Sequence, residues 1–169
     1  MSNKIIQNLP SMLKARNRRP QRIDYECFTL DIPKHVKETL NGKKFLIKTF
    51  GCQANIRDEE SMAGLLSAAN MTRTETLNDA SVIILNTCAI RENAEHKLFG
   101  QVGNLKALKA ANKDLIIIIS GCMVQQESAL EKLQKSYPQV DIFMGTNSIH
   151  KLLGLLEMNL EHKKKVFDI

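Results

Sequence analysis

Five consecutive aliphatic side chains, Leu115 to Ile119, constrain this chain more than any other stretch. The run lies between Lys113-Asp114 and Ser120-Gly121 and falls well short of the ~18 apolar residues that a membrane-spanning helix needs. With no polar residue alternating through it, it has no face to offer water, which suits a strand in the middle of a sheet covered on both sides. The same grammar recurs along the chain. Phe45 to Phe50 ends at Gly51, Val82 to Leu85 ends at Asn86 and Thr87, and Asp141 to Met144 is a last short run. Between these runs the apolar spacing becomes helical. Met62, Leu65, Leu66 and Ala69 fall at i, i+3, i+4 and i+7, and Asp58, Glu59 and Glu60 mark the start of that helix at the positive end of its dipole. Ala94, Leu98, Val102, Leu105 and Leu108 define a longer helix; Ala129, Leu130 and Leu133 a third, which Pro138 stops; and residues 149–158 a final one. Thr72, Thr74 and Thr76 alternate with polar residues as a weak edge strand does. Short strands alternating with helices predict an α/β fold: an open, mostly parallel sheet with helices on both faces, of the Rossmann or flavodoxin-like kind.

At 169 residues the chain is sized for one domain with a little polypeptide to spare, and 43% hydrophobic and 25% charged residues exclude wholesale disorder. The net charge of +6 is informative once located. Lys4, Lys14, Arg16, Arg18, Arg19 and Arg22 lie in a leader without a single acidic residue, and the remainder of the chain is neutral. Such a leader is either an electrostatic arm for phosphate backbones or acidic partners, or a solvated tail. It lacks the continuous apolar core of a secretory signal, and a cytoplasmic arm is preferred over a mitochondrial presequence. The expected organisation is therefore a basic leader and approach segment at 1–40, a globular domain at 41–158, and the start of a linker at 159–169, where Lys163, Lys164 and Lys165 cluster. No transmembrane segment is expected.

The four cysteines, Cys27, Cys52, Cys88 and Cys122, form no C-x-x-C pair, so zinc-ribbon and thioredoxin spacings are absent. Three of them directly follow predicted strands: Cys52 after Gly51, Cys88 after Thr87 and Cys122 after Gly121. In an open parallel sheet those ends share one edge, the edge where this class of fold takes its ligands. Adjacent strands are ~4.8 Å apart, so three neighbouring ends span about 10 Å and their thiols can converge. Thiolates suit zinc or an iron–sulfur cluster. A structural zinc site wants four ligands and this edge offers three with no histidine beside them. A 4Fe-4S cluster on three cysteines leaves one iron open to another ligand. A single such cysteine reads most simply as a small buried hydrophobe; three at successive strand ends read as a ligand set. Cys27, ahead of the first strand, reads as a bystander. Glycines at Gly51 and Gly121 permit close backbone approach or unusual φ.

The surrounding segments, Thr49-Phe50-Gly51-Cys52-Gln53-Ala54-Asn55, Asn86-Thr87-Cys88-Ala89-Ile90-Arg91-Glu92-Asn93-Ala94-Glu95 and Gly121-Cys122-Met123-Val124-Gln125, resemble the three signature stretches of the methylthiotransferase family's N-terminal domain. They occur in the family's order, with cysteines 36 and 34 residues apart, and the resemblance covers about residues 45–156. Gly-Cys-Gln-x-Asn and Arg-Glu-Asn-Ala-Glu are most similar to the tRNA-modifying branch. The ribosomal-protein branch typically has Pro-Lys after the first cysteine, and the threonylcarbamoyladenosine branch more often has Lys there. Ala54 stands where methionine is usual. The resemblance implies an auxiliary 4Fe-4S cluster held by Cys52, Cys88 and Cys122, supplying or carrying sulfur for carbon 2 of N(6)-isopentenyladenosine beside the tRNA anticodon. It also implies a radical S-adenosylmethionine barrel with a second 4Fe-4S cluster and S-adenosylmethionine, followed by a small RNA-binding domain. This chain has no room for either and lacks the C-x-x-x-C-x-x-C triad, so by itself it is expected to bind a cluster without turnover.

Other residues carry weaker signals. Gln53 and Asn55, beside Cys52, are placed to donate hydrogen bonds to cluster sulfurs or to satisfy loop backbone. Arg91 and Glu92, opening the helix after Cys88, are placed to steer a cluster ligand or RNA, while Glu92 is equally a routine dipole partner. His35, His96, His150 and His162 lack ligand spacing and read as solvated or capping. Gly100 and Gly103 sit in a helical pattern and open no phosphate loop. Two other classes of function stay open beside methylthiotransfer, whose alternative targets are a different tRNA adenosine or a ribosomal protein. A thiol-based redox sensor would carry a reversible disulfide and no iron. A non-catalytic RNA-binding module would lose its affinity and salt dependence with the leader.

Overall fold

The computed structural model describes residues 32–88 and 92–169. The β-branched and aromatic runs form strands and the helically spaced stretches form helices, in the order α1 (Lys34–Leu40), β1 (Lys44–Phe50), α2 (Gln53–Ala68), β2 (Thr72–Arg73), β3 (Val82–Thr87), α3 (Glu92–Ala111), β4 (Ile116–Gly121), α4 (Glu127–Ser136), β5 (Ile142–Met144), α5 (Leu152–His162) and β6 (Val166–Asp168). Short 3-10 turns at Leu77–Asp79, Cys122–Gln125 and Thr146–Lys151 join some of them. All six strands pair in parallel, in the order β2-β1-β3-β4-β5-β6. The expected α/β architecture with helices on both faces is what the chain adopts.

Strand alternation sorts the aliphatic residues onto two faces. Phe45, Ile47, Val82, Ile84, Ile116, Ile118 and Ile142 pack beneath α1, α2 and α5 through Val36, Leu40, Met62, Leu66 and Leu152. Leu46, Ile83, Leu85, Ile117, Ile119 and Phe143 pack beneath α3 and α4 through Leu98, Val102, Leu105 and Leu133. Burying one such side chain contributes roughly 1.5–3 kcal/mol. Every residue of β3 and β4 is buried, so the middle of the sheet, including the 115–119 run, anchors the molecule.

Three local features differ from the sequence expectation. Helix α2 begins at Gln53 with Cys52 as its N-cap, so Asp58, Glu59 and Glu60 lie in its second turn rather than at its start. The approach segment contributes α1, whose Val36 and Leu40 are buried in the core. The tail read as the start of a linker supplies β6, which extends the sheet beside β5. Its three residues are too few to show a period, and the lysines before them mask it. Cys27, the basic leader and Arg91 lie outside the described residues.

Candidate functional site

The strand register fixes where the cysteines stand. Thr87 pairs with Gly121, so Cys88 and Cys122, the next residue on each strand, leave the sheet at the same height. Phe50 pairs with Thr87, which puts Cys52 one residue further along on β1. Three adjacent strands thus deliver Cys52, Cys88 and Cys122 to one rim, about 10 Å long at the usual strand spacing. The chain runs outward from β1 to β2 and then returns past β1 to β3, so the order reverses between the strands that carry Cys52 and Cys88. That reversal opens the crevice in which such sheets bind ligands. Cys88 is buried, Cys52 and Cys122 are partly exposed, and none of the three is in a disulfide.

A short hydrogen-bond network ties the three positions together. The Cys88 amide donates to the Phe50 carbonyl at 3.1 Å, carrying the ladder one step past the strands. Asn55, three residues into α2 and buried, accepts at Oδ1 from the Cys52 amide at 3.1 Å and from the Cys52 thiol at 3.3 Å. With Cys52 as N-cap, this is a capping box in which sulfur replaces the usual serine or threonine oxygen. The Asn55 Nδ2 donates to the Thr87 carbonyl and to Asn86 Oδ1, each at 3.3 Å, and Asn86 returns a bond from its own Nδ2 to the Asn55 carbonyl at 2.8 Å. The Cys122 thiol faces the same Thr87 carbonyl at 3.8 Å. The end of β3 is therefore the hub through which the first and third cysteines are connected.

The helix start also changes the chemistry of Cys52. Backbone N–H groups of Asn55 and then of Ala54 point at its sulfur and hold the thiol below its ordinary range, against the opposing effect of burial; Cys88 adds a smaller hydrogen bond in the same direction. Glycine is required beside two of the cysteines. Gly121 has φ +114°, and a Cβ there would meet the Thr87 carbonyl oxygen at 2.0 Å. A Cβ on Gly51 would meet Asn55 Oδ1 at 2.3 Å and the Cys88 Cβ at 2.9 Å.

Polar atoms gather immediately beneath this rim. Thr49, Asn86 and Ser120 stand side by side in one row of the register, and Thr87 occupies the next. The hydroxyls of Thr49, Thr87 and Ser120 are buried without a hydrogen-bond partner, which is uncommon in a satisfied core and marks a place built for something other than packing. Three thiols on one rim, N–H groups aimed at one of the sulfurs and glycine-cleared backbone fit an iron–sulfur cluster in ligand type and number. Among the described residues, no group of three or more His, Cys, Asp or Glu side chains is arranged to hold a single metal ion. A cluster sets its cysteine sulfurs further apart than one ion does, because each binds a different iron.

Of the flanking residues expected to matter, Asn55 is buried in the network and Gln53 is exposed on the first turn of α2, while Arg91 is not described. His35, His150 and His162 are exposed. Sequence reasoning missed Asn86, although an asparagine closing the otherwise aliphatic run Val82 to Leu85 is a visible departure from what a central strand wants.

Comparison with known proteins follows the same outline. Residues 44–145 match the family described as Uncharacterized protein family UPF0004. Curated relatives include proteins named tRNA-2-methylthio-N(6)-dimethylallyladenosine synthase from Staphylococcus saprophyticus, 45% identical over 161 residues, from Staphylococcus haemolyticus, 46% identical over 160, and from Bacillus subtilis, 44% identical over 160. Each alignment covers 95% of this chain and 31% of the relative, so the chain spans about a third of the length of the curated relatives it matches.

Proposed function

Because this chain belongs to the protein family UPF0004, we propose that it is the auxiliary-cluster domain of a tRNA methylthiotransferase, with a 4Fe-4S cluster bound by Cys52, Cys88 and Cys122. The observation that carries the reading is the register of β1, β3 and β4, which delivers those three cysteines to one rim at the crevice of the sheet. The names of the relatives supply the substrate class, the adenosine of a tRNA that carries a dimethylallyl group on N(6). The bound cluster supplies or carries the sulfur destined for carbon 2 of that base. Forming a bond at that carbon requires a radical cofactor, and the proposal assigns this to a radical S-adenosylmethionine domain with its own 4Fe-4S cluster, in company with an RNA-binding domain.

The chain's own residues have separate tasks in this reading. The three thiolates anchor the cluster. Gly51 and Gly121 let the strand ends pack close against Asn55, Cys88 and Thr87, Asn55 holds Cys52 in place, and Gln53 and Arg91, neighbours of the cysteines in sequence, are proposed as residues that would assist in binding it. With three protein ligands, a 4Fe-4S cluster held there would keep one iron without a protein ligand. The basic leader is proposed as an arm for the tRNA backbone, and the cytoplasm as the site of action; no helix among the described residues is long and apolar enough to cross a membrane.

Anaerobic reconstitution with iron and sulfide tests the assignment. Cys52→Ala, Cys88→Ala and Cys122→Ala each abolish stoichiometric 4Fe-4S binding, whereas Cys27→Ala leaves it intact. Equal loss in all four variants contradicts the ligand set. The hydrogen bond from Cys88 to the Cys52 sulfur favours one second reading, a thiol redox sensor in which those two cysteines form a disulfide. Purified protein without iron or sulfide, with a reversible Cys52–Cys88 disulfide, would establish that reading instead.

A further inference from the structure

We propose that Asn86 is a positioning residue for the first cysteine, acting through Asn55 to hold Cys52 against the ends of β1 and β3. The inference deepens the cluster reading and rests on Cys52 being one of its ligands. Asn86 is completely buried in the penultimate position of a central strand whose preceding residues are Val82, Ile83, Ile84 and Leu85. Strand packing alone is served better there by another β-branched residue, and a carboxamide in that place is costly unless it is hydrogen-bonded. Both of its polar ends are used, and both on the same residue: Nδ2 on the Asn55 carbonyl at 2.8 Å and Oδ1 on the Asn55 Nδ2 at 3.3 Å. Asn55 then turns its remaining oxygen to the amide and thiol of Cys52. The path from Asn86 to Cys52 has one intermediate and crosses from strand to helix.

The geometry also says what loosens when Asn86 is removed. Cys52 is the N-cap of α2, so the sulfur's position relative to the Ala54 and Asn55 N–H groups depends on how the first turn is seated. The pair of bonds between Asn86 and Asn55 clamps that turn to β3. Asn159 is the internal control. It is a buried asparagine of α5, but its Nδ2 donates to the Lys164 carbonyl at 2.8 Å, away from the cysteine rim.

The test compares the wild-type chain with Asn86→Ala, Asn86→Leu, Asn55→Ala, the double variant Asn86→Ala/Asn55→Ala, and Asn159→Ala, all reconstituted anaerobically. Three quantities are read: iron per chain, the rate of iron loss to a ferrous chelator, and the cluster midpoint potential followed by electron paramagnetic resonance. Asn86→Ala loses iron about 10- to 100-fold faster, the usual effect of removing a group that orients a metal ligand. Its potential moves to more negative values, because N–H groups no longer held against the Cys52 sulfur stabilise the reduced cluster less. Asn159→Ala matches wild type, and the double variant is no worse than the more severe single one, since both act on the same connection. Asn86→Leu restores most of the lost volume and carries the same expectation if Asn86→Ala does not fold. A folded Asn86→Ala or Asn86→Leu protein with wild-type chelator resistance and potential overturns the proposal, as do additive losses in the double variant. Wild-type protein that takes up no iron overturns the cluster reading instead. The positioning claim is then decided on the metal-free chain by hydrogen exchange at the Ala54 and Asn55 amides, which Asn86→Leu accelerates and Asn159→Ala does not; equal exchange in the two variants overturns it.

Discussion

Replacing Gly121 with alanine tests whether the rim is built as described. Gly121 ends β4 with φ +114° and ψ −174°, a region of backbone space essentially reserved for glycine, where another residue costs roughly 1–3 kcal/mol. The added Cβ also has nowhere to go. It would sit 2.0 Å from the Thr87 carbonyl oxygen and 2.9 Å from the Thr87 nitrogen, distances that real Cβ atoms essentially never show. Those atoms are backbone, and Thr87 is paired to Phe50 on one side and Gly121 on the other, so it cannot yield without disturbing both ladders. Losing one or two ladder bonds at about 1 kcal/mol each brings the expected destabilisation to about 2–5 kcal/mol, a large share of the ~5–15 kcal/mol that holds a typical domain together. Urea unfolding followed by far-ultraviolet circular dichroism measures it, with Gly103→Ala as the counterpart. Gly103 is an exposed position within α3 with no atom near its missing Cβ, so alanine there raises stability by about 0.5–1 kcal/mol. A Gly121→Ala protein within about 1 kcal/mol of wild type, or a Gly103→Ala protein that loses as much, refutes the argument.

Gly51→Ala meets side chains, Asn55 and Cys88, that can swing aside, so it loses less stability, about 1–2 kcal/mol, but unseats Asn55 from Cys52; faster hydrogen exchange at the Ala54 and Asn55 amides reports this. In metal-free protein, the N–H groups of Asn55 and Ala54 make the Cys52 thiolate favoured, so iodoacetamide labelling of the Cys52 peptide rises with a midpoint below the ordinary thiol value of 9.0. Since the folded value is the lower one, the associated stability is fully present above pH 9 and is lost as pH falls through the folded midpoint; a labelling midpoint at or above 9.0 contradicts this. At the opposite end of the strands, Asp141 accepts from Lys109 Nζ at 2.8 and 2.9 Å and from the Ile117 amide at 2.8 Å, so Asp141→Ala leaves a partly buried ammonium with only the Leu115 carbonyl and no counter-ion, and a strand N–H without its carboxylate, and costs about 2 kcal/mol in urea unfolding.

The sequence carried the sheet because burial on both faces leaves a plain mark, an uninterrupted aliphatic run such as Leu115 to Ile119. It also carried the rim, because a cysteine directly after each of three such runs has only one edge on which to emerge. Register left no comparable mark. That Thr87 lies opposite Gly121, and hence that Cys88 and Cys122 emerge level, depends on pairing between segments 34 residues apart. The start of α2 was hidden because cysteine is not among the usual N-cap residues, while Asp58, Glu59 and Glu60 offer a more familiar signal later in the helix. The partnership of Asn55 with Asn86 spans 31 residues, and neither asparagine has a local reason to need the other. The same holds for β6, three residues that become a strand only because β5 offers them an edge.

The distribution of polar residues at the strand ends separates a functional cause from a merely topological one. If proximity to solvent at the rim were enough to admit polar side chains, every strand ending there would show them. The strands β1, β3 and β4 close with Thr49, Asn86 with Thr87, and Ser120, and each is followed within three residues by a cysteine. Strand β5 is the counterexample: Met144 pairs with Ser120 at the same height in the sheet, is fully buried, and no cysteine follows it. Asp168, next in the row on β6, is polar without a cysteine, but it is partly exposed and ion-paired with Lys151, so it is the fully buried polar groups of the row that keep company with the cysteines. Three of these groups leave hydroxyls buried without partners, a burden of about 1–3 kcal/mol for each that aliphatic side chains would avoid. A domain stabilised for its own sake would carry Met144-like residues along the whole row. Gln139 Oε1 is also buried without a partner, away from these strands, but a group of three such hydroxyls on the strands that present thiols is what selection for a bound group at that rim leaves in a sequence.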